Sequence, residues 1–186
     1  MRNAAYLAAL LWLCWTLMQA VHELGHVTAA LLTGGSVQRV VLHPLALSRT
    51  DVSDDPWPLV TVAAGPAVGV LLPLAGWRLA GRRPWPLDHL LKFFAGFCLI
   101  ANGAYLAYGS FEGIGDAGEL LRHGAPIWTL WLFGAVTIPA GLLIGHRLGP
   151  RLGLHRHAPP LRRRHLAIAW GSLLAVTVVE CLFSAR

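Results

Sequence analysis

Charge is scarce in this sequence. Only 13% of its 186 residues are Asp, Glu, Lys or Arg, 55% are apolar, and the mean hydropathy is +0.56. A soluble domain carries about 25% charged residues, so that class is excluded and a membrane protein is expected. Lysine occurs once, at Lys92, and the net charge of +6 rests on fourteen arginines, most of them between apolar runs. Such arginines are topology signals rather than phosphate contacts, and no nucleic-acid partner is expected. Cysteine is also rare. Cys14, Cys98 and Cys181 are odd in number, widely spaced and set within apolar runs, which excludes a disulfide framework or a C-x-x-C metal pair and leaves them as packing residues. No internal repeat or low-complexity segment is present. A bilayer core about 30 Å thick takes roughly 20 apolar residues per helix, so the length allows five or six spans in one integral membrane domain, residues 1–186. The near-absence of lysine beside arginine points to a GC-rich bacterial source, hence a bacterial cell membrane.

Against that apolar background one stretch carries chemistry. Residues 18–32 read MQAVHELGHVTAALL and place His22, Glu23 and His26 inside an apolar run. On a helix, His22 and His26 project from one face about one turn apart. They can share a metal ion, and Glu23 can reach a water on it, the arrangement that gives H-E-x-x-H its hydrolytic meaning. Ionisable side chains in a span are costly, roughly 2.5–3.5 kcal/mol for an aspartate or a basic residue at the centre. A bound cation offsets that cost. A plainer reading has the histidines bonding neighbouring helices and Glu23 as a protonated packing residue. A signal peptide fits poorly, because the apolar run continues past His26 through Leu32 and Met18-Gln19-Ala20 is a poor cleavage site.

An all-α polytopic protein with five spans is expected, at residues 4–33, 59–77, 89–108, 125–146 and 166–183. His22 lies about 27 Å along the first helix from Ala4, towards one membrane face. Gly34-Gly35 ends that helix. Residues 36–50 suggest two short strands or an extended segment, and 51–58 a polar turn. The second span carries Ala64-Gly65-Pro66-Ala67-Val68-Gly69, read either as a close-packed, water-facing helix or as ordinary small-residue packing. A basic loop follows at 78–88. Asn102 is the one strongly polar side chain of the third span. Residues 109–124 form a glycine-rich connection gathering Glu112, Asp116, Glu119 and His123. The arginine-rich stretch 151–165 reads as a solvated anchor beside anionic lipid, and Glu180 is placed to reach the interface.

These features resemble the site-2 protease class of membrane-embedded metalloproteases, most closely the short M50B-like peptidases. HELGH in the first span, a glycine pair and strand-like segment, then Gly65-Pro66 in the next span carry the likeness, which covers residues 21–131. The resemblance implies Zn2+ held by His22, His26 and Asp116, with Glu23 as general base. It implies a membrane-protein substrate cut in or near a transmembrane segment, with residues 36–50 offering a strand edge to the unwound chain. The chain departs from the pattern in three places. Asn102 lies fourteen residues before Asp116, Ala117 stands where a glycine follows the aspartate, and Gly69 stands where many members have asparagine. His43, Glu112, Glu119 and His123 are the competing third ligands; Asp116 is preferred for its surrounding glycines and its return to the HELGH side. A non-proteolytic metal-binding membrane protein, a pseudoprotease regulator or a carrier, is the alternative function, and it has no need of Glu23. Arginine bias puts the N-terminus in the cytoplasm and the HELGH end outside, whereas the resemblance implies the reverse orientation.

Overall fold

The computed structural model describes residues 2–81, 88–146, 148–149, 152 and 163–184. Most of the stretch expected to anchor at anionic lipid, and most of the basic loop 78–88, lie outside the described residues. Among the described residues, five helices are long and apolar enough to cross a membrane: α1 (Arg2–Thr33), α2 (Pro58–Ala80), α3 (Asp88–Glu112), α5 (Ile127–Gly145) and α6 (Arg163–Ser184). A short α4 (Gly115–Arg122) follows α3, and a two-stranded antiparallel hairpin, β1 (Ser36–Val41) and β2 (Arg49–Ser53), follows α1. Val40 faces Thr50 across it.

Local chemistry sets the boundaries. α1 ends where Gly34 takes φ of +91° and the Gly35 amide returns to the Ala30 carbonyl at 2.8 Å, a left-handed cap that glycine adopts without strain. Pro58 opens α2 at a position where no amide hydrogen is needed. β2 runs on to Ser53, so part of the expected polar turn is strand.

Close helix approach holds α3 against α5. Gly96 and Gly103 of α3 meet Gly141 and Gly134 of α5: an added methyl at Gly96, Gly134 or Gly141 would press on a facing glycine carbonyl, and one at Gly103 on the Thr137 side chain. The positions lie two turns apart on each helix, so both pairs fall on one contact line. One apolar core joins Tyr6, Ala9, Leu10 and Cys14 of α1 to Leu148, Leu152 and the α6 residues Ala169 and Leu173. A second joins Leu106, Ala117, Leu120 and Leu130.

One expectation needs correction. Asp116 sits not on a flexible glycine turn but in the first turn of α4, which is amphipathic: Ala117, Gly118 and Leu120 are buried. Glu180 is 3% exposed, and its Oε2 has no hydrogen-bond partner among the described residues.

Candidate metal centre

The site is built on one face of α1. Gln19, His22, Glu23 and His26 recur at helical spacing and all four are buried. α4 brings Asp116 to them: its Oδ2 lies 2.7 Å from His22 Nε2 and 3.3 Å from His26 Nε2. Glycine makes this approach possible, since Gly113 and Gly115 take φ of +65° and +56° to turn the chain back from α3 into α4.

The other ring nitrogens show what these three atoms can do. His22 Nδ1 donates to the Asn102 side-chain oxygen at 2.7 Å, and His26 Nδ1 donates to the Thr61 backbone carbonyl at 2.9 Å. The amide of Asn102 is oriented, because its Nδ2 donates to the Cys98 carbonyl at 2.9 Å. Each neutral imidazole therefore carries its hydrogen on Nδ1 and presents a lone pair at Nε2. Two nitrogen lone pairs and a carboxylate converge on one point. A proton satisfies only one such pairing, whereas a divalent ion takes all three. The ligand atoms lie within 4.8 Å of one another, and ligands of a tetrahedral ion at about 2.1 Å are roughly 3.4 Å apart. The donor set fits a divalent cation, with coordination open on the cavity side.

α2 forms the floor. A methyl group at Gly65 would overlap the His26 ring, and one at Gly69 would lie 2.7 Å from Asn102 Oδ1. One turn apart, the two glycines are bare seats for an imidazole and an amide. The small-residue stripe serves packing and the site at once. Gly25, beside His26, brings α1 against the Ala64 carbonyl.

The hairpin forms the opposite wall. Thr50 Oγ1 donates to Glu23 Oε2 at 2.6 Å, and Gln19 ties the strand connection down by accepting from the Ser48 amide at 2.7 Å. Between these walls lies a cavity of about 870 Å³, lined by the histidines, Glu23, Asp116, Asn102 and Tyr105 among others. The Tyr105 hydroxyl accepts from the Asp116 amide at 3.2 Å, and its ring stands edge-on to His22 with centroids 5.8 Å apart. Residues 47–52 all border this cavity. Side chains alternate along a strand, so a consecutive run means that β2 meets the cavity along its edge.

None of the competing ligands joins the His22, His26 and Asp116 cluster among the described residues. His43 Nδ1 accepts from the Leu45 amide within the hairpin connection, Glu112 is exposed, and Glu119 and His123 border the cavity but Glu119 pairs with Arg122 and lies 3.8 Å from His123. Sequence reasoning named Asn102 without a role and missed Gln19, Thr50, Thr61 and Tyr105. Gln19 had a legible signal, its place one turn before Glu23 on the same helix face; a backbone carbonyl such as that of Thr61 has none.

No curated protein and no solved structure matches the chain. A family profile does, described as Peptidase M50B-like, over residues 3–105. The matched stretch holds both histidines, Glu23, the hairpin, the two glycine seats and Asn102, and it ends before α4 and Asp116. It takes in more than half of a chain whose long helices are apolar enough for a bilayer and whose buried donors suit a metal: the protein belongs to the Peptidase M50B-like family of membrane metallopeptidases.

Proposed function

We propose that the protein is an intramembrane zinc peptidase that hydrolyses a peptide bond in or near a transmembrane segment of a membrane-protein substrate. The observation that carries this reading is the convergence of His22 Nε2, His26 Nε2 and Asp116 Oδ2 beside Glu23 on the wall of a large cavity. His22, His26 and Asp116 would hold the ion. When bound, zinc supplies Lewis acidity and lowers the pKa of a water to about 7.

The chain's own groups account for the rest. Thr50 engages one oxygen of Glu23, leaving the other to take the proton of the attacking water and later return it to the departing amine nitrogen. Buried Gln19 anchors the hairpin, so the strand edge keeps a fixed height relative to Glu23. A helical substrate hides its carbonyls in its own hydrogen bonds, and the edge of β2 offers replacement partners once that helix is unwound.

The test begins with metal content of the detergent-purified chain. About one zinc per chain is expected for the wild type and for Glu23→Gln, and a large loss for His22→Ala, His26→Ala and Asp116→Ala. Glu112→Ala and Glu119→Ala should keep the metal. In proteoliposomes carrying a panel of single-span membrane proteins, the wild type should cleave and Glu23→Gln should not. Cleavage by Glu23→Gln would sink the mechanism. Zinc-loaded wild type that cleaves nothing in the panel would favour a binding role instead.

A further inference from the structure

Asn102 stands where three helices meet the site. It is 1% exposed, fully inside the fold, on the α3 face turned towards α1 and α2. A primary amide has two donors and two acceptor lone pairs, and inside an apolar fold each unmet group is costly. Both ends of this amide are engaged. Nδ2 donates to the Cys98 carbonyl one turn earlier on its own helix, and Oδ1 accepts from His22 Nδ1. The first bond decides which end of the amide faces His22. The second decides which nitrogen of His22 carries hydrogen.

Gly69 completes the arrangement from α2. A methyl there would stand 2.7, 2.9 and 3.0 Å from Oδ1, Nδ2 and Cγ of Asn102. Those separations are shorter than carbon, nitrogen and oxygen tolerate without a bond, so the amide lies flat on a surface that only glycine leaves bare. A side chain at position 69 and the present amide position at 102 exclude each other.

We infer that Asn102 is a positioning residue for the metal centre, seated by Gly69, which holds His22 in the tautomer and ring orientation that presents Nε2 to the ion. This rests on the metal reading above. The choice of amide over carboxylate also has a physical consequence. Asn102 supplies an acceptor without adding a further negative charge to a buried site that already holds Glu23 and Asp116.

The test is zinc affinity of the full chain in detergent, measured by competition with a chromophoric chelator, with folding checked by helix content and monodispersity. Asn102→Leu keeps the shape but removes the acceptor and should weaken zinc 10–100-fold, the usual cost of losing such an outer partner. Asn102→Ala should do the same. Asn102→Asp restores the acceptor and should bind within about threefold of wild type or more tightly. Gly69→Ala should weaken zinc in the wild-type background and add nothing in the Asn102→Ala background, because the two act through one contact. Unchanged zinc affinity in Asn102→Leu, or an Asn102→Asp as weak as Asn102→Ala, would overturn the assignment. Equal losses from Gly69→Ala in both backgrounds would overturn the seating by Gly69. A wild-type chain that binds no zinc would instead overturn the metal reading on which the inference stands.

Discussion

Replacing Gly65 by alanine is the sharpest perturbation the fold offers. The added methyl would fall within the His26 imidazole, against Nε2, Cε1 and Cδ2. The ring has little room to yield. Its Nδ1 is bonded to the Thr61 carbonyl at 2.9 Å and its Nε2 faces Asp116 at 3.3 Å. The helices cannot separate cheaply either, because Gly25 already packs on the Ala64 carbonyl. Either the ring swings out, leaving a buried carbonyl without its partner, or α1 and α2 move apart along the face that carries the site. Overpacking of this kind costs about 1–3 kcal/mol of stability. A ligand turned away from its outer partner should cost at least 10–100-fold in zinc affinity, about 1.4–2.8 kcal/mol. The control lies on the same helix: a methyl at Gly76 meets nothing within 4 Å, so Gly76→Ala should leave zinc binding unchanged. The assay is chelator competition on both variants, with thermal unfolding in the same detergent. A Gly65→Ala protein with wild-type affinity would refute the claim that α2 seats His26. Equal losses in the two variants would show a general weakness of α2 rather than a specific seat.

Two further outcomes are expected. Thr50→Val should keep zinc within about threefold while lowering turnover more than substrate affinity, because the Thr50 hydroxyl bonds Glu23, the proposed base; Thr50→Ser should restore turnover, and metal loss in Thr50→Val would refute this division of labour. The hairpin stands on the HELGH side of the bundle with Arg39, Arg49 and Arg122, the arginine-poor side of the sequence, so a cysteine at Ser53 in a cysteine-free background should react with an impermeant thiol reagent from outside the cell. Protection of position 53, with labelling at position 158 from outside, would reverse the orientation.

The long helices and the HELGH face were legible because both signals are local: apolar length for the spans, and a four-residue interval for the ligands. The hairpin was legible from its β-branched residues and the glycine pair before it. α4 was not. With Gly115 and Gly118 among its eight residues it has poor intrinsic helix propensity, and it forms because Ala117 and Leu120 dock on Leu106 and Leu130, contacts the sequence does not announce. Asn102 was visible as a polar side chain in a span, but its partner lies eighty residues earlier. Gly65 and Gly69 read equally well as packing. Only the bodies resting on them, an imidazole and an amide, tell the two meanings apart.

The edge-on placement of β2 has one more consequence. A peptide that pairs with that edge can shift only in steps of two residues if the same side chains are to keep facing the cavity, since a one-residue slip turns every side chain over. Each permitted step moves the chain by about 6.8 Å, while Thr50, itself a residue of β2, keeps Glu23 at a fixed height. Under the proposed activity, the selection of a scissile bond becomes a matter of phase. Secondary cuts in a single substrate would fall at even intervals from the main one, and moving the preferred bond by one residue would demand a different face of the substrate rather than a small displacement along it.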